Sequence, residues 1–148
     1  MKIINEVSIT FPSKSTNEGY ARSAVAAFAA HLDPTLEEIG DIKTAVSEGV
    51  TNCIVHAYPH SVGKIYIRLR IFEGNLFEIV IRDRGLGIAD IDTAKKPMFT
   101  TGGADRSGMG FTIMESFMDT MKIRSCVNKG TSVTMRKRIS MRSGGHAL

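Results

Sequence analysis

Four short patches fall in a fixed order along this chain: Glu48 with Asn52, then Asp83-Arg84-Gly85-Leu86-Gly87, then Ser107-Gly108-Met109-Gly110-Phe111, then Gly130-Thr131. Each sits toward the end of a predicted element. The fold must therefore bring one helix face, two glycine turns and a hairpin end together. Glycine permits sharp turns and close approach because it has no Cβ. In this order the patches describe an ATP pocket built on a helix and two glycine turns, and the sequence holds no phosphate-cradling GxxxxGK[ST] loop.

The elements between the patches follow from periodicity. Val7, Ile9 and Phe11 alternate with polar residues, which predicts a strand over residues 6–11 with one buried face. Ser15 with Glu18 has capping-box spacing and opens a helix whose apolar side is Ala21, Ala24, Val25, Phe28 and Leu32. After Asp33-Pro34, a second capping pair, Thr35 with Glu38, opens another helix. Its stripe is Leu36, Ile39, Ile42, Val46, Val50, Cys53 and Ile54, and Tyr58-Pro59 ends it. Ile65, Ile67, Leu69 and Ile71, then Phe77, Ile79 and Ile81, predict a hairpin through Glu73-Gly74-Asn75 that delivers Asp83 at its end. Residues 92–107 lose all periodicity, as a lid over a site would. A third helix starts near Gly108 with Phe111, Met114, Phe117, Met118 and Met121 inward, and a last hairpin turns through Asn128-Lys129-Gly130.

This order predicts the α+β class: a two-layer sandwich, a mixed β-sheet covered on one face by three helices, with the other face open or used for association. A chain of 148 residues, 43% hydrophobic, has material for one core. Residues 1–139 are expected to form that domain and residues 140–148 a polar tail.

The net charge of +4 gathers on Lys129, Arg136, Lys137, Arg138 and Arg142. No aromatic residue interleaves with these bases, so direct nucleic-acid binding is not expected, and an acidic protein partner accounts for the excess equally well. No apolar run approaches the roughly 20 residues of a membrane span, and the expected location is the cytoplasm. Cys53 and Cys126 lack metal-type spacing and read as reduced core thiols. His31, His56, His60 and His146 have no evident partners in the pattern.

The patches offer chemistry, each beside a plainer reading. Glu48 and Asn52 share one helix face, where the carboxylate could take a proton from a hydroxyl and the amide oxygen could join Mg²⁺; they are equally a solvated polar pair. Asp83 at a strand end needs a donor such as the adenine amine, or it closes an ordinary Asx turn. Gly108 and Gly110 open a helix whose N–H groups favour phosphate, or they serve packing. Arg106 pairs a phosphate or stays solvated, and Thr131 meets the base or is a plain strand residue.

Together the patches resemble the GHKL ATP-binding domain shared by DNA gyrase B, the large heat-shock chaperone, bacterial histidine kinases and the MutL repair protein. Within that group the chain is most similar to the small anti-sigma factor serine kinases of the sporulation (sigma F) type. The likeness is densest in SEGVTNCIVHAY, RDRGLGIAD, PMFTT and RSGMGFTIMESFMD. It implies a protein that holds a sporulation sigma factor and uses Mg·ATP to phosphorylate a serine on the anti-anti-sigma factor. It implies Glu48 as base, Asn52 as Mg²⁺ ligand and Asp83 on the adenine amine. Gly85 and Gly87 would meet base and sugar, and Thr131 the base edge. Thr100, Thr101, Arg106 and the run Ser107, Gly108, Met109, Gly110 would meet the phosphates. It further implies a homodimer, with Arg22 on the first helix a partner contact. Two rival readings stay open: a nucleotide-gated module that sequesters sigma factor without kinase activity, and a general-stress kinase acting on a different sigma factor. The chain departs from the family at Arg84, where an acidic residue is common, and at Ala57, where glycine is.

Overall fold

The computed structural model describes residues 1–95 and 107–141. Strand β1 (Ile3–Pro12) leads into α1 (Thr16–Ala29), a 3₁₀ turn at Ala30–Leu32 and α2 (Leu36–Asn52), which continues as a π-helical turn, Cys53–Ala57. Then come β2 (Lys64–Phe72), β3 (Leu76–Asp83), a short α3 (Ile91–Lys95), α4 (Ser107–Phe117), β4 (Thr120–Cys126) and β5 (Gly130–Arg138).

The strands lie in the order β1-β2-β3-β5-β4, and every neighbouring pair is antiparallel. The class is the α+β two-layer sandwich read from the pattern, but the expected mixed pairing is absent among the described strands. The connections explain this. Two helices lie between β1 and β2, and the chain returns antiparallel. β3 and β4 run the same way, yet β5 lies between them and opposes both.

One sheet face carries the core. Ile65, Ile67, Leu69 and Ile71 of β2, Phe77, Ile79 and Ile81 of β3, and Val133 and Met135 of β5 pack under Ala21, Val25 and Phe28 of α1, Ile42, Val46 and Val50 of α2, and Phe111 and Met114 of α4. Burying such a side chain contributes roughly 1.5–3 kcal/mol, and the period-two and helical patterns selected these positions correctly. Four inward assignments fail at the margins. Val7 is 37% exposed, because the helical layer does not cover the N-terminal half of edge strand β1. Leu36, on the first turn of α2, points outward, and Phe117, the last residue of α4, is exposed while Met118 takes the core position. Cys126 is exposed on β4, although Cys53 is a buried free thiol.

The capping pairs split. Thr35 Oγ1 accepts from the Glu38 N–H (3.0 Å) while Glu38 Oε1 accepts from the Thr35 N–H (2.8 Å). The same carboxylate accepts from the Ser140 N–H (2.9 Å), just past β5. Burial pushes its proton affinity up, but the hydrogen bonds from Thr35 and Ser140 outweigh this and hold Glu38 below the usual range. The Ser15 box does not form: Ser15 is already helical and caps nothing, because Glu18 turns instead to Arg22 (2.8 Å) and to the Ser47 hydroxyl on α2 (2.6 Å). Thr35→Ala should therefore destabilise the domain by about 1 kcal/mol and lower the melting midpoint by about 2–4 °C. An unchanged midpoint by circular dichroism would show that the box contributes nothing.

Candidate nucleotide site

Phe77, Ile79 and Ile81 anchor β3 in the core, and its last residue, Asp83, is buried at the sheet end. The turn after it hangs from the end of α2. The Leu86 N–H donates to the Ala57 carbonyl (3.1 Å), and the Arg84 N–H donates to the Tyr58 hydroxyl (2.7 Å), which itself donates to the Lys64 carbonyl (2.7 Å). A Cβ at Gly85 would overlap the Ala57 carbonyl oxygen. Gly87 has φ +75°, and a Cβ there would overlap the carbonyl of Cys126 in the β4–β5 hairpin. The first glycine turn is thus threaded between a helix end and a hairpin, which neither a side chain nor ordinary φ would permit.

Asp83 is held from three sides. Its Oδ1 accepts from the N–H groups of Gly85 (2.9 Å) and Thr131 (3.2 Å), and its Oδ2 accepts from the Cys53 thiol (3.5 Å). Burial pushes the carboxyl above its ordinary range, and these three hydrogen bonds oppose that shift. Burial and the adjacent carboxylate push the Cys53 thiol well up, so it remains a protonated donor. The hairpin is fixed to the glycine turn by Ser125, whose Oγ accepts from the Ile88 N–H (2.7 Å) and lies 2.8 Å from Thr131 Oγ1.

Asp83 closes one end of a cavity of about 420 Å³ roofed by Asn52, Cys53, His56 and Ala57 and floored by Ile81, Met114, Thr131 and Val133. Leu86, Gly87, Ile88 and α3 form its outer wall. A mostly apolar slot with one buried carboxylate suits a flat heteroaromatic base that carries an amine. On the far side α4 packs against α2, and Gly110 is buried against Asn52, where a Cβ would lie 2.8 Å from the amide oxygen. The Asn52 amide is left with a buried Nδ2 that has no partner among the described residues.

Of the residues read from the sequence, the fold gathers Asn52, Asp83, Gly87 and Thr131 on the cavity, with Gly85 and Gly110 shaping its walls. Glu48 lies one turn before Asn52 on α2, half-buried and outside the cavity lining. Ser107, Gly108 and Met109 begin α4. Thr100, Thr101 and Arg106 lie outside the described residues. Arg22 sits on α1, bridging Glu18 and Ser47 of α2. Sequence reasoning missed Cys53 and His56, which line the roof. The signal was available, since residue 56 is one turn beyond Asn52 and residue 53 adjoins it. Burial lowers the His56 proton affinity, so its ring is neutral. Asp90 and Thr93, also missed, pair across the start of α3 (2.6 Å).

Among the described residues no cluster of three or more His, Cys, Asp or Glu side chains could hold a metal, and no helix is long and apolar enough to cross a membrane. A Mg²⁺ ion here would take one protein oxygen, from Asn52, and complete its shell with phosphate and water, as this hard ion commonly does.

The sheet, the helix-hung glycine turn and the buried strand-end carboxylate are those of an ATPase domain, and the chain belongs to the family of histidine kinase-like ATPase domains, whose model matches residues 11–137. Within it the chain stands with the anti-sigma F factors. That of Thermoanaerobacter pseudethanolicus is 53% identical over 140 residues, covering 94% of this chain and 97% of that protein. That of Geobacillus thermodenitrificans is 49% identical over 137 residues, covering 92% and 94%. The fold also matches solved structures. The RsbU and RsbW domains of Rv1364c from Mycobacterium tuberculosis align with TM-score 0.66 and 19% identity over 91% of this chain and 32% of that one. The mycobacterial sensor histidine kinase MprB aligns with TM-score 0.57 and 14% identity over 90% and 97%.

Proposed function

We propose that this protein is a cytoplasmic anti-sigma factor that holds a sigma factor of the sigma F type and, with Mg·ATP, phosphorylates a serine on its antagonist, the anti-anti-sigma factor. The observation that carries the chemistry is the buried Asp83 carboxylate at the end of an apolar slot, held by three donors with its ionised form disfavoured by burial. An adenine amine supplies the further donor that such a group favours. The partner half rests on the near 50% identity to proteins named anti-sigma F factor over more than nine-tenths of the chain.

In this reading the base lies under Asn52 and Cys53, with Gly85, Gly87 and Thr131 at its edge. The phosphates run toward the start of α4, where Ser107, Gly108, Met109 and Gly110 offer N–H groups, and toward Thr100, Thr101 and Arg106. Mg²⁺, held by Asn52, would neutralise phosphate charge. Glu48, one turn away, accepts the proton of the attacking serine, and the rest of the catalysis is positioning. Arg22 is the assigned partner contact on α1. Residues 1–139 form the working domain.

The deciding experiment is transfer of label from γ-labelled ATP with Mg²⁺ to the purified anti-anti-sigma protein, with Asn52→Ala alongside. Label on a serine, lost in the variant together with Mg·ATP affinity, is the expected result. ATP binding without transfer would leave the nucleotide-gated sequestering module in its place.

We also assign a homodimer, supported by Ile3, Ile4 and Val7, exposed on the edge strand β1 and forming an apolar margin there. Light scattering at micromolar concentration should give twice the chain mass of 16.1 kDa. A mass equal to one chain would overturn the assignment.

A further inference from the structure

The sheet face opposite the helices is not uniformly neutralised. Toward the β2–β3 hairpin two of its arginines are ion-paired. Arg136 donates to the buried Glu78 at 2.9 Å and lies over the Phe72 ring, and Arg70 bridges Glu6 and Glu78. At the opposite end, under the β4–β5 turn, a cleft of about 450 Å³ is lined by Arg82, Arg84, Arg124, Lys129 and Ser132. No carboxylate lies within ion-pair distance of any of these four bases among the described residues. Asp83 adjoins the cleft, but its carboxylate is turned to Gly85, Thr131 and Cys53 and is already engaged. Two of the four cations are also held together: the guanidinium carbons of Arg82 and Arg84 lie 5.3 and 4.9 Å from the centroid of one ring, that of Tyr66.

Like charges fixed on one ring without a counter-ion repel each other, and an arriving oxyanion relieves that repulsion. Guanidinium groups match the planar, bidentate geometry of a carboxylate. We infer that this cleft docks an extended acidic segment of a protein partner. The cleft opens beside β4, which pairs only with β5 among the described strands. A segment added along that free edge would present alternate side chains to this face. Glu or Asp at every second position would then meet Lys122 and Arg124 of β4, and the chain leading from that edge across the cleft would meet the Arg82–Arg84 pair over Tyr66 of β2. A nucleic-acid strand fits the cleft less well, because the Tyr66 ring beside it is already covered by two guanidiniums and cannot stack a base. This assignment does not depend on what the nucleotide cavity holds.

The test is fluorescence anisotropy of the full chain with a labelled ten-residue peptide carrying Glu at alternate positions. A Gln-for-Glu peptide and a single-stranded oligonucleotide of equal charge serve as comparisons. The Glu peptide should bind, weaken as salt rises from about 50 to 200 mM because exposed charges are screened over roughly 10 Å, and lose at least about tenfold in affinity in Arg82→Glu/Arg124→Glu, the loss of roughly one 1.4 kcal/mol charge contact. Arg84→Gln/Lys129→Gln, which removes charge without adding any, should lose affinity in the same direction if the first variant folds poorly. Equal binding of the Glu and Gln peptides, indifference to both double variants, or tighter binding of the oligonucleotide would each overturn the proposal.

Discussion

Glu48→Gln should bind Mg·ATP like the wild type and transfer its phosphoryl group to the antagonist's serine about 10²–10⁴-fold more slowly. The substitution keeps the shape of the side chain and removes its basicity. Glu48 lies one helical turn from Asn52 and outside the lining of the adenine slot, so base recognition has no reason to change. Loss confined to the transfer step is the mark of a group that acts when the serine proton leaves. Single-turnover transfer from labelled ATP, read against calorimetric affinity, separates the two effects. Transfer within about tenfold of wild type would remove Glu48 from the role of base, and a parallel loss of affinity would make it a binding residue.

Asp83→Asn should do the opposite. An ionised acceptor for the adenine amine is worth roughly 1.5–3 kcal/mol, so ATP affinity is expected to fall by about 10–150-fold. The wild-type affinity should also fall as pH drops, because protonation removes the acceptor. Burial raises the Asp83 carboxyl above its ordinary 3.8, so this loss sets in nearer neutrality than for a solvated aspartate. The variant's affinity should be flat over the same window. Stability runs the other way: a carboxyl with a raised folded value contributes stability present below its unfolded value and lost as pH rises through the folded one. The variant should therefore melt no lower than the wild type at pH 7, which separates lost recognition from lost folding. Unchanged affinity would show that the carboxylate does not meet the base.

The core and most element ends were legible because they depend on local pattern: period two for β2 and β3, helical period for α2, and turn residues at 73–75 and 128–130. The cavity was legible in outline because Asp83 and the glycines mark the strand end and the turns that wall it. What escaped was settled by tertiary partners. Ser15 lost its cap because Glu18 found Ser47, 29 residues away. Val7 lost its burial because helix coverage stops short of it. The thiol of Cys53 read as core filler until the fold set it 3.5 Å from Asp83. The antiparallel sheet followed from the position of β5, which no periodicity encodes.

That position has a consequence for how the protein comes into being. β5 is made after β4, yet it occupies the gap between β4 and β3. Until β5 has been made and has docked, β3 presents an unpaired edge and Asp83 lacks the Thr131 amide. A nascent chain ending in the β4–β5 turn already contains Glu48, Asn52, Asp83 and both glycine turns, but has no slot to hold a base. A ligand in the slot can therefore stabilise only the finished protein, and until β5 docks β3 keeps an unpaired strand edge of the kind that invites wrong pairing.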